Sequence, residues 1–257
     1  MRKTSLKLCG FTVIMGIFGA FLRWVQNLNV FEADTGLAAP HAPWSYAVAA
    51  FILLFAVLLL VIVRKLKELD FDLDFPDVYA KGLPFNALAG GLIGAVLAIG
   101  GVLTLVRAVS TSKSAFDLIL GFFAFLCAAA AASFVATTVK PKQKNSGVFG
   151  AVTTVLFLCF WLIRAYKFSA SDPVIWHFAI RLLSIAALVL AFYFIAGFVF
   201  GKPRPLSSLY FGLLGVFLCI TVLADSYPIG EQLITVGFIA HALLLSFTQV
   251  SGSKKYD

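Results

Sequence analysis

The sequence predicts an all-α protein, a polytopic membrane helix bundle, and three observations carry this prediction. Hydrophobic residues make up 61% of the 257 residues and charged residues only 12%. Water-soluble domains contain about 45–50% apolar and about 25% charged residues. Runs of about 20 apolar residues, the length that a helix needs to cross a bilayer, also recur along the whole chain. We therefore expect a single integral membrane domain over residues 1–257.

Eight apolar runs are long enough to span a membrane, and in chain order they pair into four successive hairpins. The longest polar connection, 64–84, is predicted to be a cytoplasmic loop, and the other connections are too short to fold separately. The predicted spans cover approximately residues 8–30, 44–63, 85–106, 116–138, 148–168, 174–200, 207–224 and 231–250.

The first apolar run could be a span or a signal peptide, because it follows the basic segment MRKTSLK. A signal peptide ends at a small-residue cleavage site. Here the run is followed by Arg23 and Trp24 instead. An uncleaved first span is therefore favoured.

The distribution of Lys and Arg predicts the orientation of the chain. Fourteen of the 20 basic residues fall on residues 1–7, on the connections that follow the second, fourth and sixth helices, and on the C-terminal tail. Basic residues accumulate on the cytoplasmic side of membrane proteins, so we expect both termini in the cytoplasm and the protein in the cell membrane. The net charge of +8 then marks topology and attraction to the anionic lipid bilayer. It does not indicate a nucleic-acid partner.

Three similar short segments of the sequence suggest an internal repeat. FLRWVQN, TLVRAVS and WLIRAYK place Arg23, Arg107 and Arg164 at the outer ends of odd-numbered helices, and TVLADSY places Asp225 at the equivalent position of the seventh. The last two intervals, 57 and 61 residues, fit a unit of about 60 residues. Because apolar helices resemble one another by composition, both a true duplication and a convergent hairpin design stay open.

Several polar residues share helix faces with small residues, which indicates that they face protein. In the first helix, Gly16, Gly19 and Arg23 follow one another at steps of three and four residues. Small residues mark close helix contacts in membranes. In the sixth helix, His177 and Arg181 share a face that carries no acid, and Arg181 lies about 10 Å into the span. A charge at that depth is expected to be interior.

Two interpretations of these polar residues are open. In the first, arginines line an outward-facing pocket that recognises carboxylate or phosphate through bidentate hydrogen bonds. In the second, the six outer basic residues pair with the six outer acids as structural ion pairs. The candidate ligand-binding residues are Arg23, Gln26, Asn27, Arg107, Arg164, His177 and Arg181. The candidates for ion pairs or a proton relay are Asp117, Asp225, Glu231 and His241.

Signatures of enzymes and metal sites are missing from the sequence. It contains no GxSxG, HExxH, P-loop or glycine-rich dinucleotide motif. The four cysteines lie singly within apolar runs, and KPRP at 202–205 is interpreted as a basic turn that ends the sixth helix. We therefore predict no catalytic residue, no metal and no cofactor.

Two classes of function fit the sequence. The first is a transporter or binding protein for a small anionic solute or a lipid headgroup, with the arginines as its receptors. The second is a scaffold, sensor or assembly partner that does not transport, in which the arginines form structural ion pairs. In that case residues 64–84 are the candidate contact for a soluble cytoplasmic partner.

Overall fold

A computed structural model shows the protein as a bundle of long helices. It describes residues 2–32, 37–38, 42–70, 78, 84–139 and 144–255. Within these ranges eight helices are long and apolar enough to cross a membrane, which is consistent with a multi-pass membrane protein. They are α1 Arg2–Asn29, α2 Pro43–Lys65, α3 Pro84–Arg107, α4 Ala115–Val139, α5 Lys144–Ser169, α6 Ile175–Val199, α7 Pro205–Val222 and α8 Ile229–Gly252.

Each predicted span lies on one of these helices, and the boundaries differ by a few residues. The largest difference is in α1, which begins at Arg2 rather than at residue 8, because the polar residues before the apolar run are helical too. Asp225, predicted at the end of the seventh helix, lies in the turn that follows α7. Most of the loop 64–84 lies outside the described residues.

Short segments join or extend the helices. A single 3₁₀ turn, Leu66–Glu68, follows α2, and a π-helical turn, Ala108–Ser112, extends α3. Leu69–Asp70 (β1) pairs antiparallel with Lys254–Lys255 (β2). This pairing places the start of the 64–84 loop beside the C-terminal tail.

The helices differ in how deeply they are buried, with α7 and α8 at the centre. In an apolar stretch of 18 residues taken from each helix, 67% of the residues of α7 and 61% of those of α8 are buried. The corresponding values are 28% for α1 and 22% for α2. The peripheral helices present large apolar side chains outward, such as Ile14 and Phe18 on α1 and Leu53 and Leu54 on α2. In a bilayer these side chains face lipid.

Consecutive helices pack together within each predicted hairpin, but other pairs pack as extensively, notably α6 with α7 and α3 with α8. The contact of α3 with α8 is close because both helices have glycine there. A Cβ added at Gly100 would lie 2.9 Å from the carbonyl oxygen of Gly230. The division into four hairpins and the orientation of the termini stay predictions.

The connections α1–α2, α3–α4, α5–α6 and α7–α8 share one end of the bundle. We call it the arginine end, because Arg23, Arg107, Arg164 and Arg181 lie near it. The opposite end, which carries β1, β2 and the α6–α7 turn, is called the lysine end.

Candidate functional site at the arginine end

Arg23 lies inside the bundle and is held by a carboxylate from another helix pair. It is only 1% exposed. Its Nε lies 2.7 Å from Oδ1 of Asp225, and its Nη1 donates to Oε1 of Gln26 at 2.8 Å. Its Nη2 donates to the carbonyl of His177 at 3.3 Å. The guanidinium therefore connects α1 to α6 and to the α7–α8 turn.

Two neighbours on α1 complete this group. Gln26 donates from Nε2 to Oγ of Ser45 on α2 at 2.9 Å. Asn27 donates from Nδ2 to Oδ1 of Asp225 at 3.0 Å. We call Arg23, Gln26, Asn27, Ser45 and Asp225 the Arg23 network. Its one cation and one anion cancel formally, as a buried group requires.

A second network forms around Arg164. Its Nε donates to Oδ1 of Asp117 at 2.7 Å, and its Nη2 donates to Oε1 of Glu231 at 2.9 Å. Arg181 donates from Nη2 to the other oxygen of Glu231, Oε2. We call Asp117, Arg164, Arg181 and Glu231 the Arg164 network. It contains two cations and two anions, so it is formally neutral.

The two acids of the Arg164 network occupy favourable places on their helices. Asp117 lies in the first turn of α4 and Glu231 in the first turn of α8. The N-terminus of a helix carries a partial positive charge, which stabilises an anion there. Asp117 also accepts a hydrogen bond from Oγ of Ser112 in the π-helical turn, at 2.7 Å. Both carboxylates are thus stabilised as anions.

Tyr227 joins the two networks. Its ring faces the guanidinium of Arg181 with 4.0 Å between the Arg181 carbon Cζ and the ring centre. Its hydroxyl donates to the same His177 carbonyl that Arg23 contacts, at 3.3 Å. Burial raises the pKa of Tyr227 above its ordinary value, which keeps the phenol neutral and able to donate.

His177 and Arg181 each contact a carboxylate that does not lie on the helix face they share. His177 Nδ1 lies 2.8 Å from Oδ2 of Asp172, which precedes α6, and Arg181 contacts Glu231 on α8. Desolvation raises the pKa of Asp172, but the backbone N–H of Val174 and the imidazole of His177 outweigh it and lower that pKa below its ordinary value. Glu231 lies 50 positions from Arg181 on another helix, so the sequence could not show that pair, whereas Asp172 lies only five positions before His177.

Arg107 differs from the other three arginines. It lies at the last position of α3, is exposed, and makes no salt bridge with any described residue. It borders a cavity of about 560 Å³ between the end of α3 and the start of α8. The polar lining of this cavity, which we call the arginine-end pocket, includes Thr104, Arg107, Ser110, Thr111, Asp117, Arg164, Ser226, Tyr227 and Glu231.

His241 lies away from both networks. It is 1% exposed in α8, and its ring centre is 5.0 Å from that of Phe192. It lies ten positions after Glu231 on α8, about 15 Å along the helix axis. A proton relay that includes His241 stays a prediction.

Sequence reasoning missed Ser45, Ser112 and Tyr227, which contact members of the two networks. It also missed part of the lining of the arginine-end pocket, namely Thr104, Ser110, Thr111 and Ser226. Each of the first three is a single polar or aromatic residue near a helix end, where such residues are common. The available signal for Tyr227 was its position two residues after Asp225, within the turn whose acid had been singled out. Ser45 and Ser112 carried no comparable signal.

Comparison with known proteins adds no relative to this description. The chain matches no protein-family model, no curated protein and no solved structure. Within the described ranges, no group of three His, Cys, Asp or Glu side chains is placed to hold a metal ion.

Proposed function

We propose that this is an integral protein of the cell membrane, with both termini in the cytoplasm and the arginine end outside. The charge distribution supports this orientation, because 14 of the 20 basic residues fall on segments assigned to the lysine end. The β1–β2 pairing supports it too, since it holds the start of the 64–84 loop and the C-terminal tail at one end.

We propose further that the protein binds a small anionic solute in the arginine-end pocket, as a transporter or a solute-binding protein. The observation that carries this proposal is Arg107. It is an exposed cation without a salt bridge to any described residue, on the wall of a cavity of about 560 Å³. Ligand pockets generally measure about 300–1,000 Å³.

The charges around the pocket favour a singly charged ligand. Asp117 and Glu231 are balanced by Arg164 and Arg181. Among the described residues, Arg107 is then left as one positive charge without a salt bridge. A carboxylate or a phosphate diester, each with one negative charge near pH 7, could accept hydrogen bonds from its guanidinium and from the hydroxyls of Ser110 and Thr111, which also line the pocket.

A second function is favoured by a different observation. Arg23, Arg164 and Arg181 each have a carboxylate within salt-bridge distance. These three arginines would then hold helices together rather than bind a solute. This supports a scaffold, sensor or assembly partner that does not transport. Its candidate contact for a soluble protein, 64–84, lies mostly outside the described residues.

Arg107→Gln separates the two functions. The purified protein in detergent would be screened by thermal shift against small carboxylates and phosphate esters. The matched control is Lys113→Gln, an exposed cation at the same end that does not line the pocket. We expect one anion to stabilise the wild type and the control by mass action, and to bind about tenfold more weakly to Arg107→Gln.

Two outcomes would contradict solute binding. In one, no anion stabilises the wild type. In the other, an anion stabilises all three proteins equally, which would place it away from the pocket. Either result would leave the scaffold function as the better account of the arginine end.

A further inference from the structure

A second cavity lies at the lysine end, on the surface between α5 and α6. Its volume is about 380 Å³. Val152 and Leu156 of α5 form one wall, and Tyr193 and Phe200 at the end of α6 form the other. All four side chains are exposed outside the bundle. We call this cavity the α5–α6 groove. At its mouth lie two cations, Lys202 and Arg204.

The backbone fixes the two cations at the mouth. The N–H of Lys202 donates to the carbonyl of Gly197 at 2.7 Å, and the N–H of Gly201 donates to that of Phe198 at 3.4 Å. Gly201 has φ +69°, so the end of α6 forms a Schellman motif. A Cβ at Gly197 would lie 2.7 Å from the Lys202 carbonyl oxygen, so this close turn depends on glycine there.

The turn is also tied to the rest of the bundle. Pro203 and Pro205 flank Arg204 and restrict the backbone on both sides. Gln249 of α8 donates from Nε2 to the carbonyl of Pro205 at 2.7 Å. The positions of both basic residues relative to α5 and α6 are therefore set by the fold.

Among the residues whose side chains the structure describes, none balances the charge of this turn. Lys202 and Arg204 are exposed, and no carboxylate that the structure describes forms a salt bridge with either of them. At the arginine end, by contrast, the cations of both networks meet acids. Two cations therefore stand at the mouth of an apolar groove without a salt bridge to a described acid.

We propose that the α5–α6 groove binds an anionic phospholipid, with an acyl chain between α5 and α6 and the phosphate at Lys202 and Arg204. Two chemistries in one site point to this ligand. An anionic amphiphile satisfies both the apolar walls and the basic mouth, and basic sites between transmembrane helices bind lipid headgroups in this way. This inference is independent of the arginine-end pocket.

The experiment compares lipids that share acyl chains and differ in headgroup charge. Phosphatidylglycerol and phosphatidylcholine would be added to the intact protein in detergent, and retained lipid measured by native mass spectrometry. The wild type should retain one phosphatidylglycerol in preference to phosphatidylcholine. Lys202→Gln with Arg204→Gln should weaken phosphatidylglycerol binding about 30-fold, equivalent to about 2 kcal/mol for two juxtamembrane cations.

Two further variants separate the parts of the site. Arg64→Gln with Lys65→Gln removes the same charge from the lysine end, where both residues are exposed at the end of α2 and away from the groove. It should leave lipid retention unchanged. Val152→Trp keeps both cations but fills the groove, and it should reduce phosphatidylglycerol binding as well.

Three results would overturn the proposal. If both double variants lose lipid equally, only the general charge of the lysine end matters. If glycerol 3-phosphate displaces the lipid as effectively as phosphatidylglycerol does, the turn is a site for soluble phosphate. If Val152→Trp binds lipid normally, the groove does not hold an acyl chain and is free for a helix of another protein.

Discussion

The two ends of the bundle differ in the burial and the salt bridges of their basic side chains. At the arginine end, Arg23 is 1% exposed and Arg164 is 5% exposed, and both contact carboxylates. At the lysine end, Lys202 and Arg204 are exposed and make no salt bridge with a described carboxylate. The same chemical groups are thus part of the protein interior at one end and open to lipid or solvent at the other.

Desolvation explains the difference. A buried charge costs several kcal/mol unless an opposite charge and hydrogen bonds compensate for it, whereas a cation at the membrane surface keeps its water and attracts anionic lipid. The buried basic residues at the arginine end, Arg23 and Arg164, should therefore matter for stability. The basic residues at the lysine end should matter for the bilayer and for topology.

The strongest test of this contrast is Glu231→Gln. It leaves Arg181 without its carboxylate and removes one of the two carboxylates of Arg164. We expect the free energy of unfolding to fall by about 3–5 kcal/mol, measured by unfolding in detergent. Lys202→Gln with Arg204→Gln should change it by less than about 0.5 kcal/mol each.

A double-mutant cycle identifies the cause of this loss. Arg181→Leu removes the charge that Glu231→Gln leaves unpaired, so the combined variant should lose less stability than the two single effects added together. Additive effects would mean that Arg181 and Glu231 do not act as a pair.

Asp225→Asn applies the same test to the Arg23 network, with a smaller expected effect. Arg23 keeps Gln26 and the carbonyl of His177 as hydrogen-bond acceptors after the change. We expect a loss of about 3 kcal/mol, at the low end for a broken buried pair. Asp172→Asn, a half-buried acid at the same end, is the control. An equally large effect of both substitutions on the unfolding free energy would show that burial is not the cause.

Gly100→Ala tests whether the close contact between α3 and α8 contributes to stability. The added methyl would meet the backbone of Gly230 and push α3 away from α8. We expect a loss of about 1–3 kcal/mol in the free energy of unfolding. The matched control is Gly91→Ala on the same helix, where a Cβ has no atom within 4 Å. Equal stability of the two variants would contradict this description of the α3–α8 contact.

The smallest expected effect concerns pH. The folded protein lowers the pKa of Asp172, so this carboxylate stabilises the fold above its unfolded pKa of about 3.9. That contribution is lost as the pH falls through the lower folded-state pKa. The difference in unfolding midpoint between wild type and Asp172→Asn should therefore shrink from pH 6 to pH 3. A difference that stays constant would mean that the contact with Val174 and His177 has no influence.

Residue order alone was enough to predict which segments are helices, and it indicated the buried face of α1. The buried positions of α1 include Thr12, Gly16, Gly19, Arg23 and Gln26, which is the face that the spacing indicated. In α4, Asp117, Gly121 and Ala124, at steps of four and three residues, are also all buried. Periodicity encodes these faces because a helix repeats its direction every 3.6 residues.

The partners of the polar residues could not be predicted in the same way. Arg107 and Arg164 stand in similar segments, yet Arg164 pairs with Asp117 and Glu231 while Arg107 borders the pocket without a salt bridge to a described acid. In both segments the arginine follows an apolar run and precedes an alanine. What differs is which helices lie next to each arginine, and for Arg164 this depends on contacts with residues 47 and 67 positions away.

The sequence by itself determined that the chain forms eight apolar helices with polar residues on interior faces, because hydrophobicity and helical period are local properties. Only the tertiary structure decided which charges neutralise one another, which arginine borders a cavity, and which cations lie at the mouth of an apolar groove. The physical reason is that the energy of a charge depends on its distance from other charges and on its access to water, and both are set by the packing of distant segments.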